Sequence, residues 1–215
     1  MTEDKLPTFS PFKPVDKQFS TVPLDHIPMP TPPIPIYHEE PPLKTVNELL
    51  KLDIACGQNK KEGFIGVDIV KMPGVDVVHD LTVFPWPFKD DSVDEAFISH
   101  YIEHTPCLIK FMNELHRIMK KGAICNITAP YYNSMRAWQD PTHTRAISEA
   151  SFLYYNLQWR KDNKLDHYPI TADFDFQYGY NFYPEWAARN EELRAYAAKH
   201  FTNVIMDICV MLTKK

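Results

Sequence analysis

Two carboxylates flank a turn of small residues in Leu52-Asp53-Ile54-Ala55-Cys56-Gly57-Gln58-Asn59 and the Phe64-Ile65-Gly66-Val67-Asp68-Ile69 that follows. A short apolar run feeding such a turn, with an acid closing the next apolar run, is how an open parallel sheet holds a nucleoside. Backbone approaches one end, and the acid, here Asp68, accepts from the ribose hydroxyls. A dinucleotide would want Gly-x-Gly-x-x-Gly in the turn, so that amide groups reach a pyrophosphate. Here Gly57 is the lone glycine of the turn, which weighs against a nicotinamide dehydrogenase. Asp53 could accept from an ammonium group, and Asn59 is a residue type that tolerates a left-handed backbone. The turn suits a nucleoside carrying an amino acid better than a diphosphate.

A second group of reactive side chains lies in Tyr131-Tyr132-Asn133-Ser134-Met135-Arg136-Ala137-Trp138-Gln139-Asp140-Pro141-Thr142-His143-Thr144-Arg145, polar and aromatic, just past an apolar run that Pro130 stops. Loops beyond a strand's carboxyl end cover substrates. His143 could serve as a general base near neutral pH, as could a tyrosine of the pair Tyr131-Tyr132. Arg136 or Arg145 could hold an anionic group of the substrate. Alternatively Asp140, His143 and Arg145 bond to one another and staple the loop.

The first stretch resembles motif I of the class I S-adenosylmethionine-dependent methyltransferases, in particular their small type 11 domains. The likeness continues through Asp76-Val77-Val78-His79-Asp80-Leu81, Phe84-Pro85-Trp86-Pro87-Phe88, Asp91-Ser92-Val93-Asp94-Glu95, Glu103-His104 and Phe111-Met112-Asn113-Glu114-Leu115-His116-Arg117, roughly residues 47 to 215. It departs at Ala55 and Asn59, positions that are often glycine. The resemblance implies S-adenosylmethionine as cofactor, held by Asp53, Ala55, Cys56, Gly57, Gln58, Asn59, Asp68 and Ile69. It implies Asp80 with the Leu81 backbone at the adenine edge, and His100, Tyr101 and His104 beside the methionine part and the transferring methyl. His104 is then a second candidate base, with a helix-positioning role as its alternative. Tyr132, Arg136, Asp140 and Arg145 are the candidate substrate contacts.

These residues need a scaffold, and the apolar periodicity supplies one. Short apolar runs at 52–54, 64–69, 75–79, 93–99, 123–129 and 204–212 predict strands suited to a sheet covered on both faces. The implied fold is α/β: a Rossmann-like, doubly wound, seven-stranded, mostly parallel sheet with an antiparallel last strand and helices on both faces. Helices are predicted over 45–50, from Leu108 through Met119 to a Lys120-Lys121-Gly122 stop, over 148–157, and over 184–200 with proline in the first turn. The alternation around Phe174, Phe176, Tyr178, Tyr180 and Phe182 predicts a half-exposed or pocket-lining strand.

Residues 1–42 carry most of the 19 prolines and read as an extended arm. Its aromatics suggest packing on its own domain or, in a homo-oligomer, on a second subunit. Residues 43–215 then form the methyltransferase domain, with a substrate lid around 131–183.

Composition narrows the rest. At 215 residues, 44% hydrophobic and 24% charged, the chain has the make-up of a globular domain, and its net charge of −5 gives no general attraction to nucleic acid. No apolar run is long enough to span a membrane and no secretory leader is evident, so a cytoplasmic protein is expected. Cys56, Cys107, Cys125 and Cys209 form no C-x-x-C pair, and no metal site is read from the sequence. The expected reaction moves a methyl group from S-adenosylmethionine to a small-molecule or sugar-like acceptor at oxygen or nitrogen. The rivals are a silent methyltransferase-like interaction module, against which the intact Asp53, Gly57, Asp68 and Asp80 argue, and an aminopropyl transferase, against which the want of an acidic polyamine pocket argues.

Overall fold

The computed structural model describes residues 49–215. The proline-rich arm and most of the helix predicted over 45–50 lie outside them; Leu49 and Leu50 are not helical.

The short β-branched runs pair into one seven-stranded sheet. Its strands are β1 (Lys51–Ile54), β2 (Ile65–Asp68), β3 (Val77–Val78), β4 (Val93–Ser99), β5 (Met119–Pro130), β6 (Phe174–Phe182) and β7 (Ile205–Lys214). The spatial order is β3-β2-β1-β4-β5-β7-β6. β1 to β5 run parallel, and β7 inserts antiparallel between β5 and β6. Strand order reverses between β1 and β4, the place where an open α/β sheet binds its ligand.

Successive strand residues face opposite sides of a sheet. Leu52 and Ile54, Ala96 and Ile98, Cys125, Ile127 and Ala129, and Ile208, Val210 and Leu212 supply the buried side. Helix α1 (Leu108–Ile118) lays Phe111, Met112, Leu115 and Ile118 into this core. On the other side, Glu95 and Phe97 of β4 and Asn126 and Thr128 of β5 are half-buried. The connections over 55–64 and 69–76 are turns without a helix.

Three predicted helices end early or break in two. α1 stops at Ile118, ahead of the Lys120-Lys121-Gly122 stop, because Met119 pairs with Val93 and Ser92 N–H donates to Ile118 O, drawing the chain into β5. Residues 148–157 split into α3 (Ala150–Leu153) and α4 (Leu157–Asp162), following the short α2 (Arg136–Gln139). Asn156 takes an extended backbone there and caps Trp159 N, while its amide donates to Phe174 O. Residues 184–200 split likewise into α5 (Pro184–Ala187) and α6 (Glu191–His200), where Asn190 caps Leu193 N. A side-chain cap out-competes continuation of the helix at both places.

The proline-punctuated loop after β3 is pinned to α1. Buried Glu114 accepts from Trp86 N at 2.6 Å, and Arg117 donates to both Glu114 oxygens, to Phe88 O and to Asp90. Trp86 Nε1 in turn donates to Leu81 O at 3.1 Å.

Gly66 in β2 is required by space. An added Cβ would collide with the Gly74 carbonyl oxygen and stand 2.8 Å from both Cys56 Sγ and Lys60 Cδ. Gly66→Ala is therefore expected to cost about 2 kcal/mol, a Tm fall of about 6 °C by differential scanning calorimetry. An unchanged Tm would show that the 74 turn yields freely.

Candidate functional site

The chain leaves the two central strands through strained residues. Ala55 after β1 has φ +57° and His100 after β4 has φ +53°. Left-handed backbone costs a non-glycine residue roughly 1–2 kcal/mol, and such residues gather where function over-determines the structure. Gly57 is also left-handed, at φ +55°, whereas Asn59, the residue expected to carry this conformation, is not. Ala55→Gly should raise stability by about 1 kcal/mol, read as a higher denaturation midpoint. A lower midpoint would mean that the Ala55 methyl packs for more than its strain costs.

A cavity of about 330 Å³ opens between these two exits, lined by Ala55, Asp68, Ile69, His79, Asp80, Leu81, Thr82, His100 and Tyr101. Its size falls in the range of small-molecule sites. Asp68 ends β2 and accepts from Gly57 N at 2.9 Å, tying the turn to the rim. Asp80 accepts from Thr82 N and Thr82 Oγ1 at 2.8 and 2.7 Å through one oxygen, Oδ1. Tyr101 is half-buried, and desolvation together with the nearby Asp80 and Asp68 pushes its phenol up to about 12, so it stays neutral.

Of the residues expected at the cofactor, Ala55, Asp68, Ile69, Asp80, Leu81, His100 and Tyr101 are thus gathered around one cavity. Asp53, Cys56, Gly57, Gln58 and Asn59 do not line it. Asp53 is buried and accepts from Lys61 N at 2.6 Å, which closes the turn from below. Burial raises its pKa against the pull of that amide and of Lys61. His79 and Thr82 were missed; their adjacency to Asp80 and Leu81 was the available signal.

The loop after β5 folds back onto the segment that follows β4. Thr144 N donates to Glu103 O at 2.8 Å, and Thr144 Oγ1 to the carbonyls of Glu103 and Thr105. The rings of His104 and His143 meet edge to face, with centroids 4.6 Å apart. No hydrogen bond joins Asp140, His143 and Arg145 to one another: Asp140 holds Thr142, His143 Nδ1 donates to Ala137 O, and Arg145 donates to Pro106 O. The staple exists, but backbone carbonyls and Thr142 make it.

Tyr131 is buried and its hydroxyl donates to Glu149 at 3.1 Å. Desolvation first, then Tyr180 and Glu149, drive its pKa far up. Tyr132 is exposed. Arg136 Nε lies 3.4 Å from Asp207, a buried carboxylate on β7. Burial raises the Asp207 pKa, Arg136 and His100 oppose the rise, and Glu103 adds to it.

This strand order, with the cavity at the reversal point and acids closing β2 and following β3, is that of the class I S-adenosylmethionine-dependent methyltransferase fold. Residues 58–127 match the family model described as a methyltransferase domain. Among solved structures, the chain is similar to a S-adenosylmethionine-dependent methyltransferase from Archaeoglobus fulgidus, 19% identical over 77% of this chain and 86% of that one, with a TM-score of 0.54. It is also similar to one from Mesorhizobium loti, 13% identical over 80% and 94% of the two chains at TM-score 0.49. A third is phosphoethanolamine N-methyltransferase 2 of Haemonchus contortus, solved with S-adenosyl-L-methionine, 15% identical over 83% and 51% at TM-score 0.44. No curated protein matches the sequence. S-adenosylmethionine is the cofactor of this class. Among the described residues no helix is long and apolar enough to cross a membrane.

Proposed function

We propose that the protein transfers the methyl group of S-adenosylmethionine to a small-molecule or sugar-like acceptor, at oxygen or nitrogen. The observation that carries this reading is the cavity at the β1/β4 reversal, with two carboxylates on its rim and apolar Ile69 and Leu81 in its wall. The residues present fit the cofactor. Asp68 would accept from two ribose hydroxyls, Asp80 would take the exocyclic amine on Oδ2, and Ile69 and Leu81 would flank the base. When bound, the cofactor supplies an electrophilic methyl on a sulfonium. His100 and Tyr101 line the same cavity, and the loop 131–145 would hold an acceptor in line, within about 3–3.5 Å of the methyl carbon, and shield it from water.

In this reading His104 and His143, whose rings meet at 4.6 Å, are the candidate bases for the acceptor, and Arg136 is the candidate contact for an anionic part of it. The free thiols of Cys56, Cys107, Cys125 and Cys209 agree with action in a reducing compartment such as the cytoplasm. Calorimetric titration of the full chain with S-adenosylmethionine and S-adenosylhomocysteine tests the reading. Micromolar binding of both is expected; a folded protein that binds neither would refute it in favour of an interaction module.

A further inference from the structure

The turn after β4 and the loop after β5 bring together three groups that cofactor binding does not use. A carboxylate oxygen of Glu103 and one ring nitrogen each of His104 and His143 lie within 4.8 Å of one another. Glu103 is 2% exposed, and among the described residues neither of its carboxylate oxygens has a hydrogen-bond donor. His100 Nδ1 comes no closer than 3.5 Å to Oε1.

The neighbours dictate the tautomers. His143 Nδ1 lies 3.0 Å from Ala137 O, and a carbonyl accepts, so Nδ1 carries the proton and Nε2 the lone pair. Thr142 gives its hydroxyl hydrogen to Asp140 Oδ1 at 2.7 Å, so Thr142 Oγ1 accepts from His104 Nδ1 at 2.9 Å. His104 too keeps its lone pair on Nε2. In the neutral rings, two imidazole lone pairs and a buried carboxylate that has no hydrogen-bond donor among the described residues form a set of acceptors, which a proton or a metal ion must complete. Asp207, the second buried carboxylate nearby, is paired with Arg136 at 3.4 Å.

We propose that Glu103, His104 and His143 bind a divalent first-row transition-metal ion whose open positions hold the acceptor through a hydroxyl oxygen. Two histidines and one carboxylate are a donor set for such ions with positions left open for substrate. Ligands about 2.1 Å from one ion lie about 3 to 4.2 Å apart, so side-chain adjustments of about 1 Å close the set. Each histidine already donates its other ring N–H to a fixed acceptor, the arrangement that orients metal-bound imidazoles. Asp140, acting through Thr142 on His104, is a positioning residue.

The assignment of an acceptor rests on the methyl-transfer reading; the ion site does not. Coordination makes the hydroxyl more acidic. Its proton passes to solvent water, the oxygen lone pair forms the bond to the methyl carbon, and the electron pair of the broken carbon–sulfur bond stays on sulfur as the thioether.

The test uses the full chain, stripped with a chelator, dialysed, and titrated with Co²⁺ and Mn²⁺, with S-adenosylmethionine affinity measured on the same samples. One Co²⁺ per chain is expected, with visible d–d bands that shift on adding acetohydroxamate, an oxygen chelator. Binding should be lost in Glu103→Gln and His143→Ala and weakened about 10–100-fold in Thr142→Val, with cofactor affinity retained. Should Glu103→Gln fail to fold, His143→Ala, on a half-exposed ring, carries the comparison. No stoichiometric ion binding, or binding that survives these substitutions, overturns the site, and bands indifferent to acetohydroxamate overturn its acceptor role. Ion binding without cofactor binding would instead refute methyl transfer and leave the ion site standing.

Discussion

Asp68→Ala is expected to weaken S-adenosylmethionine binding about 100-fold. A carboxylate accepting from two ribose hydroxyls makes two charge-assisted hydrogen bonds, each worth about 1.5–3 kcal/mol. Losing about 2.7 kcal/mol of that is the stated factor. The same carboxylate also accepts from Gly57 N, so alanine loosens the turn as well as removing the ligand contact. Asp68→Asn separates the two effects. It keeps an acceptor for Gly57 and removes the charge, and its affinity should fall about tenfold. Calorimetry on both variants, with folding checked by circular dichroism, decides the matter. If Asp68→Ala bound the cofactor as the parent does, the ribose role would be lost and the cavity would need another ligand.

The largest stability effect is expected for Arg117→Ala, at about 3 kcal/mol. Arg117 neutralises Glu114, which is buried, and it holds the loop 84–88 through Phe88 O and Trp86 O. The hydrogen bond to Glu114 is the leading cause of the raised Arg117 pKa, so the guanidinium is charged at every accessible pH. Alanine strands the Glu114 carboxylate in the interior, where an unpaired charge is the main part of the penalty. Thermal unfolding should show a Tm lower by about 6–12 °C. In the double variant Arg117→Met with Glu114→Gln, no unpaired charge is left, and a large share of the loss should return. A single Arg117→Ala variant with a near-parental Tm would show that water reaches Glu114. Because Trp86 also donates to Leu81 O in the cavity wall, the single variant should weaken cofactor binding too, by less than Asp68→Ala does.

The order of motifs along the chain was enough to foresee the sheet. Strand periodicity is local, and β1, β2, β4 and β7 appear where alternating or continuous apolar runs placed them. Helix ends were read less well. Propensity favours an uninterrupted helix from 184 to 200, but the side chain of Asn190 caps the later part and restarts it. At Ile118 the pairing of Met119 with Val93 ends the helix before Gly122 can.

The candidate site divides in the same way. Asp68 and Asp80 were legible because each sits at the carboxyl end of its strand or just past it, whereas Ala55, His100 and Tyr101 followed from the resemblance to the methyltransferase motifs. Asp53 carries the right chemistry but faces the turn, where Lys61 N takes it. Residue types and their order thus determined the fold, the cofactor class and most of the cavity wall. The tertiary structure alone decided that Glu103 is buried with no hydrogen-bond donor among the described residues, that His104 and His143 meet, and that Thr142 and the Ala137 carbonyl each take a ring N–H. Those relations join separate loops, and they arise from long-range packing and hydrogen bonding that no local spacing encodes.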